Sequence, residues 1–112
     1  FENVTEGDAL YMRTSDGQVG KATAADGTSE AATVVGFANA NTSFGNIVKV
    51  IVVGLKTMSS LDAGDLYFLS PSTAGAITLT PPSSAGQAVV RLGEAATTTT
   101  LAIQIEPPIK LS

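Results

Sequence analysis

Two matching Gly-Asp pairs, Gly7-Asp8 and Gly64-Asp65, carry the acidic side chains with the clearest potential for chemistry. Two carboxylates at equivalent positions could bind Ca²⁺ together with backbone carbonyls, with Glu6 and Asp62 as additional ligands. Alternatively, Gly supplies a turn and Asp accepts hydrogen bonds from neighbouring amides at the start of a strand. Neither pair lies in the dense run of oxygen-bearing side chains typical of a calcium loop. We therefore favour the turn and predict no metal site.

Glu94 is the single acidic residue that invites a catalytic interpretation, because it replaces Phe37 of the first half of the chain. A hydrolase built on it would need a second carboxylate, as in glycosidases. The alternative, which we favour, is a solvent-facing position on an edge strand.

The absence of His, Cys and Trp from the 112 residues removes most of the usual groups of catalysis and metal binding. Without His, no side chain titrates by default near neutral pH. Without Cys, there are no thiolate nucleophiles, disulfides or cysteine-ligated zinc. A Ser or Thr nucleophile would need a Lys or carboxylate base, and no Ser-x-x-Lys or Gly-x-Ser-x-Gly pattern occurs. We predict a non-enzymatic protein with no catalytic, cofactor-binding or metal-binding residues.

Charge and hydropathy exclude two further classes of partner. The net charge is −4, and the six Lys and Arg residues are scattered singly, which argues against binding nucleic acid. The longest apolar stretch, Ile47 to Leu55, is interrupted by Lys49 and falls far short of the ~20 residues of a membrane-spanning helix. We expect this stretch to form a buried strand and the protein not to insert into membranes.

The two halves of the chain repeat each other at an offset of 57 residues. Gly7-Asp8 recurs as Gly64-Asp65, Gly36 recurs as Gly93, and Ala38 recurs as Ala95. Apolar residues at strand-like spacing follow each match. This pattern predicts one domain, residues 1–112, built from pseudo-repeats 1–57 and 58–112 whose apolar faces pack together.

The elements that carry these residues are predicted to be strands. No window shows a sustained helical stripe, and Gly or Pro interrupts the chain every few residues. The fold class is therefore all-β, a compact β-sandwich or β-barrel of about eight short strands. The predicted strands are Asp8 to Thr14, Gln18 to Ala22, Thr33 to Ala38, Ile47 to Leu55, Asp65 to Leu69, Ala76 to Thr80, Gln87 to Ala95 and Thr100 to Glu106.

Glycine and aromatic residues inside these strands indicate how they pack. Gly36 and Gly93 interrupt apolar strands at a cost in entropy, which predicts a bulge or a close backbone crossing at each. The residues Thr97 to Thr100 suit a hairpin crown or an edge strand. We expect the aromatic side chains to lie in the core or in subunit contacts; they include Tyr11, Phe37, Phe44, Tyr67 and Phe68.

The run Gly64-Asp65-Leu66-Tyr67-Phe68-Leu69-Ser70-Pro71, followed by Gly75-Ala76-Ile77-Thr78, Gly93-Glu94-Ala95 and Glu106-Pro107-Pro108-Ile109, resembles small β-domains of tailed-bacteriophage virion proteins. The first half is similar through Asp16-Gly17-Gln18-Val19 and Val34-Val35-Gly36-Phe37-Ala38. These motifs are turn and packing signatures, so they indicate a type of domain and bring no catalytic residue with them.

The resemblance implies a virion structural protein that decorates the capsid or forms part of a head or tail fibre, located on the virion surface. Its implied partners are other copies of itself, most often as a homotrimer, and a major capsid or fibre protein. The alternative is a fibre tip that binds a host-surface glycan through the loops Asn39 to Asn46 and Thr97 to Thr100.

Overall fold

The computed structural model describes residues 2–27, 29–43, 50–52, 54–58 and 61–111. The described chain contains strands and one 3₁₀ turn, Glu30–Ala32, which Ser29 caps by accepting a hydrogen bond from the Ala31 amide. The strands are β1 (Ala9–Met12), β2 (Val19–Lys21), β3 (Gly36–Ala38), β4 (Val50–Ile51), β5 (Gly54–Thr57), β6 (Leu66–Leu69), β7 (Ile77–Thr78), β8 (Ala88–Val89), β9 (Arg91–Thr97), β10 (Thr100–Ile103) and β11 (Ile109–Lys110).

The strands form two antiparallel sheets that share one core, which confirms the predicted all-β fold as a small β-sandwich. The smaller sheet has the order β2-β1-β3-β4 and the larger sheet has the order β5-β10-β9-β6-β7. Strands β8 and β11 form a separate pair. The main core contains fully buried side chains of both sheets, among them Phe37, Leu69, Leu92 and Leu101.

The 57-residue repeat is visible in the backbone pairing. In the smaller sheet Ala9 lies opposite Phe37, and in the larger sheet their counterparts, Leu66 and Glu94, lie opposite each other. The Gly-Asp turns match as well, because Gly7 N–H donates to Ala38 C=O at 2.9 Å and Gly64 N–H donates to Ala95 C=O at 2.7 Å. Each half therefore builds a hairpin and returns a third strand beside its first strand in the same register.

The two halves nevertheless bury opposite faces of their sheets. Successive residues of a strand point to opposite sides of the sheet. In the smaller sheet Ala9 and Phe37 face the shared core, whereas their counterparts Leu66 and Glu94 are exposed. Conversely, Tyr67 of β6 lies in the shared core, whereas its counterpart Leu10 belongs to a second cluster with Val4 and Ala38. The sheets are therefore stacked front to back, and no local two-fold axis relates them.

A turn of the second half completes the hydrogen bonding of the first hairpin. Gly75, in the link between β6 and β7, donates its N–H to Ala22 C=O at 2.7 Å and accepts the Ala9 N–H at 2.8 Å. Because Ala22 N–H also donates directly to Ala9 C=O at 2.8 Å, Gly75 bridges the remaining Ala9 N–H and Ala22 C=O at the end of this hairpin. A Cβ atom added at Gly75 would lie 3.0 Å from Asp8 Cγ, and the φ angle of +83° also favours glycine here.

Gly36 and Gly93 occupy crowded positions, as their place inside strands predicts. A Cβ atom added at Gly36 would lie 2.8 Å from the Ile51 carbonyl oxygen, and one at Gly93 would overlap the Ala102 carbonyl oxygen. In both cases the obstacle includes backbone of the adjacent strand, which cannot move aside as a flexible side chain can.

Several predicted strands have different limits in the structure. The stretch Ile47 to Leu55 does not form a single buried strand, because β4 belongs to the smaller sheet, β5 belongs to the larger sheet, and Leu55 is exposed. The stretch Gln87 to Ala95 is divided into β8 and β9, and the strand from Thr100 ends at Ile103. The crown predicted at Thr97 to Thr100 is the β9–β10 hairpin turn.

Edge positions also differ from expectation. Glu94 is exposed as predicted, but β9 is the central strand of the larger sheet. Among the described strands, the edges of these two sheets are β2, β4, β5 and β7. Among the predicted aromatic contacts, Phe37 and Tyr67 are buried in the core and Tyr11 packs against it. Phe44 lies outside the described residues.

Candidate functional site

The Gly-Asp turns hold their carboxylates in structural hydrogen bonds or in solvent. Asp8 Oδ2 accepts the Thr5 N–H at 2.8 Å, and the Asp8 N–H donates to Thr5 C=O at 3.0 Å. The second turn repeats the backbone bond, from Asp65 N–H to Asp62 C=O at 3.2 Å. Within the described ranges no group of three acidic, His or Cys side chains could hold a metal ion. Both turns make the backbone hydrogen bonds expected at the start of a strand.

A cleft of about 640 Å³ lies beside the first turn. The lining includes Glu6, Asp8 and the edge of Tyr67. Glu6 Oε2 accepts a hydrogen bond from Lys56 Nζ at 2.8 Å, and the Tyr67 hydroxyl accepts the Asp62 N–H at 2.8 Å. Because these polar groups hold neighbouring segments together, the cleft offers no nucleophile and base in contact with each other.

The ionised groups near the β1–β2 turn are likewise engaged with one another. Arg13 Nη2 lies 2.5 Å from Asp16 Oδ2, and the hydrogen bond from Arg13 holds the pKa of the Asp16 carboxyl below its ordinary value. Burial raises the pKa of the Tyr11 phenol, and the Glu30 carboxylate raises it further. Both pKa shifts follow from structural neighbours, so they do not by themselves indicate catalysis.

Glu94 lies in a row of side chains that crosses the outer face of the larger sheet. The row runs from Leu55 through Ala102 and Glu94 to Leu66, each residue opposite the next on the neighbouring strand. We call these four residues the outer row. Leu55, Glu94 and Leu66 are exposed. Glu94 is therefore flanked on the neighbouring strands by the aliphatic side chains of Ala102 and Leu66.

Two apolar clefts adjoin the outer row. The first, of about 490 Å³, is lined by Gly64, Asp65, Leu66, Phe68 and Leu79. We call it the receiving cleft. A second cleft, about 480 Å³, lies between Phe68, Val89 and the segment Glu106 to Ile109, where Arg91 forms an ion pair with Glu106. Leu79 and Ile109 are exposed at these clefts. Of the six exposed large hydrophobic side chains in the described part of the chain, four lie in the outer row or at these clefts, namely Leu55, Leu66, Leu79 and Ile109.

The loops proposed for glycan binding are partly used for internal contacts. Asn41 Oδ1 accepts the Glu6 N–H at 2.8 Å, and Thr42 pairs with Val4 through the backbone. Thr98 and Thr99 accept hydrogen bonds from Leu61 and Met58 through their carbonyl oxygens. Residues 44–46 of the first loop lie outside the described residues. The structure therefore assigns the amide oxygen of Asn41 to a fold contact.

The exposed leucines are the functional candidates that the sequence did not single out. A signal for them exists in the repeat itself, because Leu66 replaces Ala9 and Glu94 replaces Phe37. These replacements indicate an exposed surface only when it is known which face of its sheet each half buries.

Comparison with known proteins adds no relative. No protein-family model matches the chain, and no curated protein or solved structure is significantly similar to it. Among the described residues, no helix is long and apolar enough to cross a membrane. The function of the chain must therefore be inferred from its own residues and their arrangement.

Proposed function

We propose that the chain is a non-enzymatic structural module of a tailed-bacteriophage virion, attached on the virion surface to a capsid or fibre protein. The observation that carries this proposal is the outer row. It crosses four strands of the larger sheet, with an exposed leucine at each end and Glu94 between them. Exposed apolar surface of this kind marks a protein contact.

Three further features support the same function. The polar groups of the cleft beside the first turn are engaged in structural hydrogen bonds. The fold needs no cofactor, since its core is closed by side chains from both halves. The resemblance of the Gly64 to Pro71 run to virion β-domains supplies the class of assembly.

Location on purified particles tests the proposal. We expect the protein to co-purify with intact virions and to be visible on their exterior by immunogold labelling. A high copy number would indicate capsid decoration and a low one a fibre. Detection only in the infected cell, with none on particles, would contradict the proposed function.

Binding to particles that lack the protein tests the surface. The variant Leu55→Asp should bind such particles more weakly, because it replaces an exposed leucine of the outer row with a charged side chain. The control is Ala25→Asp, which adds the same charge at an exposed position in the link after β2. Equal binding of both variants would show that the outer row does not attach the protein.

A further inference from the structure

The contact between the two halves covers the end of the β1–β2 hairpin, and the equivalent end of the β6–β7 hairpin has no such cover within the molecule. In the first half, the backbone of Gly75 bridges the Ala9 N–H and the Ala22 C=O at the open end of the β1–β2 hairpin. Because the two halves share their strand order and register, the β6–β7 hairpin has an equivalent open end.

That open end is the receiving cleft. The β6–β7 pairing ends at Phe68 and Thr78, two residues short of Leu66. The Ala95 N–H donates to Asp65 C=O, so Leu66 and Glu94 form a non-hydrogen-bonded pair, and the N–H and C=O of Leu66 point away from β9. Leu66 is 41% exposed, whereas its counterpart Ala9, covered by the second half, is 0% exposed.

The segment that would fill the receiving cleft is the β1–β2 turn, which is exposed. The β6–β7 link is one residue longer than the β1–β2 link, so the turn counterpart of Gly75 is Gly17, at an offset of 58 rather than 57 residues. Both glycines have positive φ angles, +73° at Gly17 and +83° at Gly75, and Gly17 is exposed. The counterpart of Leu69, which is fully buried in the shared core, is Met12, which is 48% exposed beside this turn. The Gly17 N–H already donates to Arg13 C=O within the turn. The group that Gly17 can offer to a docking partner is therefore its carbonyl oxygen.

We infer that a second copy of the chain docks head to tail, with its β1–β2 turn and Met12 seated in the receiving cleft and against the outer row near Leu66. The contact repeats between molecules the front-to-back stacking that joins the two halves within one molecule. The inference rests on the proposed function and deepens it by naming the subunit interface.

A second copy fits this surface because the chain itself carries both complementary parts, on opposite sheets. The β1–β2 turn belongs to the smaller sheet, and the receiving cleft belongs to the larger sheet. Front-to-back contacts use two different patches, so they propagate from copy to copy and close only as a ring of three or more subunits. A homotrimer is the smallest such ring.

Cysteine pairing across the contact tests the geometry, since the chain has no Cys of its own. The proximity of Gly75 to Asp8 Cγ implies that Gly17→Cys of one copy and Asp65→Cys of the next approach within disulfide reach. Each single variant should remain uncrosslinked under mild oxidation, whereas an equimolar mixture should give a covalent dimer. The double variant should give rings. Gln18→Cys replaces Gly17→Cys if the positive φ angle prevents folding.

The control mixture pairs Gly17→Cys with Thr98→Cys, on the exposed β9–β10 turn. The docking surface is overturned if the test mixture crosslinks no more than this control, or if Asp65→Cys crosslinks mainly to itself, which would indicate a two-fold contact. Sedimentation provides a second readout. Leu66→Glu and Met12→Glu should each weaken self-association about tenfold or more, because each places a charge in the contact.

The two proposals fail separately. Crosslinking as expected in a protein absent from virions would support the subunit contact and refute the virion function. A protein present on virions that neither crosslinks nor self-associates would support the virion function and refute the subunit contact.

Discussion

Lys56 Nζ lies 2.8 Å from Glu6 Oε2, and the two partners differ greatly in exposure, at 2% for the Lys56 side chain and 54% for Glu6. Lys56 Nζ also donates to Thr57 C=O at 3.1 Å. The ion pair therefore ties the first Gly-Asp turn to β5 of the other sheet, and the buried ammonium depends on a carboxylate that water can reach.

Removing either partner should have unequal effects on stability. Glu6→Ala leaves the Lys56 ammonium buried without its counter-charge and should lower the free energy of unfolding by about 1–3 kcal/mol. Lys56→Met keeps an apolar stem of similar length and returns Glu6 to water, so it should change stability by less than about 1 kcal/mol. Urea unfolding measures both. A larger loss in Lys56→Met than in Glu6→Ala would contradict this account of the pair.

The crowded glycines predict a second effect on stability. Gly36→Val and Gly93→Val should each destabilise the protein by about 1–3 kcal/mol, because the added atoms collide with the backbone of the adjacent strand. Ala96→Val, three residues after Gly93 and exposed in the same strand, is the matched control and should be nearly silent. Melting temperatures of the glycine variants equal to that of the control would show that these positions are ordinary strand sites.

The lowered pKa of Asp16 predicts a pH effect confined to acid. A carboxyl whose pKa is lower in the folded protein than in the unfolded chain stabilises the fold above the unfolded pKa, and this contribution is lost as the pH falls through the folded pKa. Arg13→Leu should raise the pKa of Asp16 towards its ordinary value, because it removes the guanidinium whose hydrogen bond and charge lower that pKa. An NMR titration of the Asp16 carboxyl in both proteins measures the shift. Superimposable titration curves would exclude Arg13 as the cause.

The salt dependence of self-association is a further prediction. The proposed subunit contact buries aliphatic side chains around Leu66 and Met12, and apolar burial is not screened by ions as exposed ion pairs are. Sedimentation equilibrium at low and high ionic strength should therefore give similar dissociation constants. Progressive dissociation as salt is added would indicate a contact dominated by charges such as Glu94 and Arg13.

Much of the architecture can be predicted from the sequence because it depends on local signals. Gly7-Asp8 and Gly64-Asp65 each start a strand through the same backbone hydrogen bonds, and Gly36 and Gly93 sit where the adjacent backbone leaves no room. The offset of 57 residues therefore predicts the equivalent strand register. The division of Ile47 to Leu55 between two sheets was missed, because an apolar run does not show where a chain crosses from one sheet to the other.

The candidate surface could not be predicted because it depends on which face each half buries. Ala9 and Leu10 are both apolar, as are Leu66 and Tyr67, so the strand pattern permits either face to point inward. Packing of the two halves determines which face points inward: it buries Ala9 in the shared core and leaves Leu66 exposed. The Lys56–Glu6 pair joins residues 50 positions apart, a separation that no local pattern reveals.

The insertion of Gly75 between β1 and β2 has a consequence for how the chain reaches its native state. Two backbone hydrogen bonds of the first hairpin are made with Gly75, a residue synthesised more than 50 positions later. During translation the hairpin therefore cannot complete its hydrogen bonding until the second half has emerged. Loop-closure entropy over that span slows formation of the contact. Folding and unfolding should therefore be all-or-none across both halves, and a fragment ending before Gly75 should remain largely unstructured in spite of containing a whole copy of the repeat.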